Sequence, residues 1–191
     1  ELVRLAAGRA TPASGSVRRP ERIGWIPEDR LLEGVIPMMS AAENLLLGRH
    51  RESRFSRWGV LDPAAVTSNA GQLMTDGDVR PGEQGRAVAT LSGGNQQKVI
   101  AARELSRLVK LLVANQPTRG LDVGSIEYIH KEIVEMRDRG VAVLLVSAEL
   151  DEILSLSDRI AVMYRGQIVA EAQADKVTRE QLGLWMAGIT S

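Results

Sequence analysis

The run "LSGGNQQK", Leu91 to Lys98, holds residue types that could meet an anion. Ser92 can cap the helix that follows it. Gly93 and Gly94 lack a Cβ, so another molecule can approach their backbone closely. The helix start behind them leaves N–H groups unpaired and carries partial positive charge. Phosphate is the natural guest of such a place. Taken alone, the same residues also suit an ordinary Ser-Gly-Gly turn into a helix.

A second candidate lies in "LVKLLVANQPTRGLD", Leu108 to Asp122. An apolar strand ends on two amides, Asn115 and Gln116, and breaks at Pro117. A strand end that opens onto a loop is a favoured place for chemistry in α/β proteins. A carboxylate there would hold a metal or activate water. Asparagine accepts a hydrogen bond but brings no negative charge, and glutamine has no basic oxygen to take a proton. As isolated residues, the two amides also suit the plain capping of a strand end.

Periodicity names the elements that must position these groups. "ELVRLAAG" (1–8) has helical spacing and stops at glycine. "TPASGSV" is a turn, and "RIGWIP" (22–27) is a strand stopped by Pro27. Ser40 and Glu43 stand at capping-box spacing, which predicts a helix from about Ser40. The polar, mixed stretch from about 50 to 90 predicts short helices and loops in a lobe set apart from the sheet. Downstream the spacing predicts a helix over 95–108, a strand over 111–114, a helix over 125–140 and a buried strand in "VAVLLVSA". A helix in "ELDEILSLS", strands in "RIAVMY" and "QIVAEA" about an Arg165-Gly166 turn, and a closing helix in "TREQLGLWMAGI" complete the pattern. Apolar strands alternating with helices predict an α/β fold, its mostly parallel sheet covered on both faces. The last two strands are expected to add an antiparallel hairpin at the sheet's edge. Lys98 and Arg103 are expected to be solvated charges on a helix face, and His130 to lie on a helix surface or rim. His50, in the basic run "RHRESRFSR", is expected to lie on a solvated lobe face. Trp25 and Trp185 are expected to pack in a core.

Bulk properties narrow the function classes. A length of 191 residues suits one good-sized core, or a core with a satellite lobe. The 24 basic and 24 acidic side chains balance, which argues against a dedicated nucleic-acid binder. There is no cysteine, so there is no disulfide framework or thiolate metal site. The longest apolar runs are too short to span a bilayer. No charged-then-apolar leader opens the sequence, so nothing marks secretion; the first residue is Glu1 and not methionine, so a fragment or trimmed chain is the expectation.

The ordered combination of "LSGGNQQK", a helix, a buried strand, "QPTRGLD", a helix, a strand and "SAELDE" resembles the nucleotide-binding domains of the ATP-binding cassette (ABC) superfamily. The resemblance covers nearly the whole chain. It is closest to the second, C-terminal cassette of fused two-cassette importer ATPases, which serve sugars such as ribose and galactose, or nucleosides. "IPEDRLLEGVIPMMSAAENL", "QPTRGLDVGSIEYIH" and "LGLWMAGI" lean towards the nucleoside group. The resemblance implies a P-loop NTPase-like core over about 95–175, a helical signature lobe over about 40–90 and a C-terminal helix over 176–191.

The resemblance also assigns roles. Leu91, Ser92, Gly93, Gly94, Asn95 and Gln96 match the signature segment, which meets the γ-phosphate of ATP held with Mg²⁺ by a partner cassette. Gly120, Leu121 and Asp122 match the D-loop along the dimer seam. Glu28 stands at the Q-loop glutamine position, between nucleotide and transmembrane partner. Several positions depart from the family pattern. Asn115 replaces the Walker B aspartate, Gln116 the catalytic glutamate and Ala148 the switch histidine. No Gly-rich Lys-Ser/Thr loop is present, and "ELVRLAAG" resembles the helix that follows one, so the chain is expected to begin just after it. The stretch before "RIGWIP" is short, which implies a reduced or missing β-subdomain. The implied whole is an energy-coupling subunit on the cytoplasmic face of the inner membrane, inactive alone. It would work with a second cassette, transmembrane permease subunits and, indirectly, an extracytoplasmic solute-binding protein. ATP would close the cassette pair, and closure would move the permease. The docking face is expected within 30–60, with Ile36, Pro37, Met38 and Met39 exposed. The alternatives are a sugar-importer ATPase, a soluble non-transport cassette acting as a ribosome-associated or regulatory binding protein, a DNA-repair ATPase head and a fragment without function. The repair head would need sustained heptads, which the sequence lacks.

Overall fold

The computed structural model describes residues 1–189. The chain divides into two compact units, Glu1–Leu144 and the chain from Leu145 onward. Each is built around its own apolar cluster.

In the first unit, α1 (Leu2–Ala6) ends before Gly8, whose φ of 74° turns the chain out of the helix. No regular element lies between α1 and β1 (Ile23–Ile26), so no β-subdomain precedes Ile23 among the described residues. β1 pairs in parallel with β4 (Leu111–Asn115), with Ile23 opposite Leu111 and Ile26 opposite Ala114. The sheet order is β1-β4-β5, with β5 spanning Ala142–Val146. β4 is central, and Leu112, Val113 and Ala114 are fully buried. The expectation that "VAVLLV" is buried on both faces fails: β5 is half-exposed along its length. It is the outer strand, with nothing paired beyond it in that sheet among the described residues.

Between β1 and α4 lies the mixed segment. α2 (Ala41–Leu46) starts on a full capping box: Ser40 Oγ accepts from the Glu43 N–H, and the Ser40 N–H donates to Glu43 Oε2 at 2.8 Å. A small hairpin, β2 (Ser56–Arg57) with β3 (Val60–Leu61), follows. The expectation of short helices fails at α3 (Pro63–Asp76), a single helix of 14 residues. Asp62 caps it, and Pro63 fits its first turn, where the absent N–H costs nothing.

α4 (Gly93–Leu105) runs behind the sheet with most of its surface covered. Lys98 and Arg103, expected in water, are buried. α4 touches α2, α3, α5 and β1, so it has no open face for a charge. The burial is tolerated because each cation has partners. Lys98 Nζ donates to the Asp78 carbonyl and carboxylate, and lies over the Tyr128 ring. Arg103 Nε donates to Glu104 Oε1 at 2.8 Å, and Glu104 also accepts from Arg107 and from the Trp25 N–H. A buried charge left alone would cost several kcal/mol, so these pairs are obligatory wherever the helix is enclosed. Trp25 is buried, as expected.

α5 (Val123–Asp138) ends before Gly140, at φ 83°. His130 on α5 is half-buried, and His50 is exposed. In the second unit, α6 (Leu150–Leu156) and α7 (Arg179–Met186) pack on a hairpin of β6 (Arg159–Tyr164) and β7 (Gln167–Gln173). Ile160, Val162, Val177 and Leu182 form its core, with Trp185 packed against it. The hairpin is antiparallel, as expected, but it forms its own two-stranded sheet and adds no edge to the larger one. The last two residues of the expected C-terminal segment lie outside the described residues.

Candidate functional site

The site is built where the start of α4 meets the loop after β4. Ser92 caps α4: its Oγ accepts from the Asn95 N–H at 3.3 Å and from Asn95 Nδ2 at 2.9 Å. Asn95 in turn accepts from the Arg80 N–H at 2.6 Å, which ties the helix start to the loop after α3. Ser92 is exposed, Gly93 and Asn95 are half-buried, and Gly94 is buried. The expected segment therefore separates into two groups. Leu91 and Gln96 are buried, and Gln96 Nε2 donates to the Val88 and Leu91 carbonyls, both at 3.2 Å. Their side chains serve the chain's own packing and leave Ser92, Gly93 and Asn95 at the surface.

A side chain at either glycine would displace a neighbouring side chain. A Cβ on Gly93 would stand 2.7 Å from the Arg30 guanidinium. A Cβ on Gly94 would stand 2.5 Å from Ser125 Oγ and 2.8 Å from Asp122 Oδ2. The "LSGG" and "GLD" segments, far apart in sequence, are thus packed against each other. Asp122 caps α5, accepting from the Ser125 N–H at 3.0 Å and the Ser125 hydroxyl at 2.8 Å. These bonds, led by the backbone N–H, hold its carboxyl below the usual carboxylate range.

Gln97 is a member that sequence reasoning missed. Its side-chain amide, buried at 3% exposure, donates to the Pro117 carbonyl at 2.8 Å. Just before Pro117, Gln116 takes a φ of 50°, a left-handed conformation uncommon outside glycine. The sharp turn at the end of β4 is therefore pinned from α4. A polar residue in the middle of an enclosed helix was the available signal, but enclosure is not visible in one sequence. Asn115 and Gln116 are half-buried at the end of β4. Glu28 follows β1, and its carboxylate accepts from Arg119 in the same post-β4 loop. Ala148 is exposed in the turn between β5 and α6, in the second unit.

The fit to nucleotide and Mg²⁺ is uneven. A capped helix start with Ser92 and Gly93 at the surface suits an anion. The amides at 115 and 116 offer a divalent cation at most neutral carbonyl oxygens, without the charge that a carboxylate would bring. Among the described residues, no group of three or more His, Cys, Asp or Glu side chains could hold a metal.

Next to this site stands an apolar surface. A π-helical turn, Arg30–Gly34, is capped by Asp29 and leads into the 35–40 loop. Ile36, Met38 and Met39 are exposed, as expected, whereas Pro37 is half-buried. Leu31 and Leu32 extend the exposed strip and were missed. Asn44, with no solvent exposure, holds the loop: its Oδ1 accepts from the Ile36 N–H, and its Nδ2 donates to the Ile36, Met39 and Ser40 carbonyls. No helix among the described residues is long and apolar enough to cross a membrane.

The architecture and motif order have solved and curated counterparts. A nucleotide-free ATP-binding cassette from an ABC transporter matches 90% of this chain and 74% of its own, with a TM-score of 0.70 and 22% identity, a likeness of fold alone. The nucleoside import ATP-binding protein NupA of Lactococcus lactis subsp. cremoris (strain MG1363) is 44% identical over 202 residues, across 98% of this chain and 40% of the relative. The chain belongs to the ATP-binding cassette superfamily. The guanosine import ATP-binding protein NupO of Bacillus subtilis (strain 168) is 48% identical over 168 residues, across 88% of this cassette chain and 33% of the relative. The ribose import ATP-binding protein RbsA 2 of Rubrobacter xylanophilus (strain DSM 9941 / JCM 11954 / NBRC 16129 / PRD-1) is 36% identical over 203 residues, across 99% of this chain and 39% of the relative. The chain spans between a third and two fifths of the length of these relatives. No family model matches it.

Proposed function

We propose that this cassette is the energy-coupling part of a nucleoside importer and completes an ATP site built mainly by a partner cassette. Ser92, Gly93 and Asn95 would face the nucleotide phosphates, and Asp122 would lie along the seam between cassettes. The supporting observation is the contact of Gly94 with Asp122 and Ser125, which packs the signature and D-loop segments together. Its own hydrolytic position is idle in this reading, because Asn115 and Gln116 bring no negative charge to a metal and no base to take a proton from water. The names of NupA and NupO favour nucleosides as cargo, and that of RbsA 2 supports ribose as the second reading.

In this reading the 40–90 segment is the signature lobe, and the strip from Leu31 to Met39 seats a permease subunit. The cassette then sits at the cytoplasmic face of the membrane, and an external solute-binding protein acts only through the permease. The deciding experiment mixes the chain with a partner cassette carrying an intact P-loop and measures ATP hydrolysis. Ser92→Trp is expected to lower the rate of the mixture at least about tenfold, the loss of a phosphate-binding contact. An unchanged rate would refute the composite site. Nucleoside-stimulated against ribose-stimulated hydrolysis, in the reconstituted assembly, separates the two cargo readings.

A further inference from the structure

The basic run from Arg49 to Arg57 ends on the β2–β3 hairpin, and neither the nucleotide site nor the permease strip accounts for it. At the tip, Trp58 is 92% exposed with φ 54°, and Gly59 follows with φ 81°. Two central residues with positive φ make the tight turn that Asn-Gly or Gly-Gly usually builds. A tryptophan there meets Cβ strain and covers almost nothing within the chain. Neither the turn nor the core explains an indole at this position.

Its surroundings are apolar and cationic. Val60 is exposed and stands opposite Arg57 in the hairpin register, and Leu61 is exposed beside it. The two acids of the stretch are engaged: Glu52 pairs with Arg49 and Arg54, and Asp62 caps α3. Arg51 and Arg57 are exposed beyond them. The hairpin's base is firm. Arg49 is buried, donates to Ser106 Oγ at 2.8 Å and lies over the buried Phe55 ring, on which Arg54 also stacks at 4.4 Å.

We propose that this hairpin is a contact for an anionic lipid surface, with Trp58, Val60 and Leu61 entering the headgroup layer. Arg51 and Arg57 would meet lipid phosphates. An amphipathic indole is at home at a membrane–water boundary, and a cluster of cations beside it adds attraction to anionic headgroups. Charge complementarity selects this occupant over a neutral lipid surface. The inference does not depend on the composite ATP site.

The test is co-sedimentation of the 191-residue chain with vesicles of phosphatidylglycerol mixed into phosphatidylcholine, against phosphatidylcholine alone, without nucleotide or partner cassette. Binding is expected only to the anionic vesicles, weakening as salt screens the arginines. Trp58→Asn is expected to weaken binding about tenfold or more, the loss of one buried aromatic group. The same variant is expected to raise the melting temperature by about 2 °C, because asparagine is at ease with positive φ. A purely structural role would lower it. Equal binding to both vesicle types, no binding, or unaltered binding by Trp58→Asn overturns the proposal. Capture of the hairpin by a detergent-solubilised permease, without vesicle binding, overturns it in favour of a protein partner.

Discussion

The side-chain amide of Gln97, in the middle of α4, donates to the carbonyl of Pro117 in the loop that ends β4. One hydrogen bond thus joins the helix that begins at Gly93 to the turn that carries Gln116 and leads to Asp122. Gln97→Leu would keep the volume but orphan the buried Pro117 carbonyl. The expected cost is about 1–3 kcal/mol, read as a drop in the denaturant midpoint without a change in slope. Faster amide exchange over 116–122, beyond that elsewhere, is the accompanying sign of a loosened loop. Unchanged exchange there would show that other contacts hold the turn.

Gly94→Ala tests the packing that unites the two segments. Its new methyl would collide with Ser125 Oγ and Asp122 Oδ2, so the side chains that cap α5 must move. Overpacking of this kind costs roughly 1–3 kcal/mol. Ser125→Ala, which removes one colliding atom, is expected to recover part of the loss in the double variant. Strict additivity of the two changes would mean that the segments are independent.

Two carboxyls make opposite contributions to pH dependence. Ser125 holds the folded-state pKa of Asp122 low, so its contribution is present above the unfolded pKa and is lost as pH falls through the folded value. Glu132 is raised, first by burial and then by Glu135, so its carboxyl is at ease below the unfolded pKa and becomes a liability as pH rises through the folded value. Glu132→Gln is therefore expected to stabilise the chain near pH 7 and to leave it unchanged near pH 3. Asp122→Asn is expected to flatten the fall in stability below about pH 4. Urea melts across that range read both.

Restoring carboxylates with Asn115→Asp and Gln116→Glu is expected to leave the isolated chain without measurable ATP turnover. The pair of acids would supply a metal ligand and a base, but this sequence contains no phosphate-gripping lysine loop. Magnesium-dependent hydrolysis by the doubly substituted chain would show that the two amides alone idle the site and that the missing lysine loop is not needed.

The sequence made the periodic elements legible and left their enclosure hidden. α4, β4, α5 and the β6–β7 hairpin follow from spacing and turn residues, and the Ser40–Glu43 box is present as expected. α3 was blurred because "PAAVTSNAGQLMTD" has a weak apolar stripe, although Asp62-Pro63 marks its start. β2–β3 was missed because Trp58-Gly59 is not a usual hairpin turn pair. Lys98 and Arg103 misled because a charged residue is ordinarily in water, and only tertiary contacts reveal a helix covered all round. At the candidate site, the "LSGG" and "GLD" segments were each recognisable. Their mutual contact, the Gln97 anchor and the inward turn of Gln96 are properties of three-dimensional packing.

Asn44 has a mechanical consequence. Four bonds from one amide freeze the backbone that displays Ile36, Met38 and Met39, so this apolar strip is stiff before anything touches it. A protein seated there would meet a lever already set, with little disorder to suppress on contact. Displacement of the strip would pass into α2, which carries Asn44, with little slack.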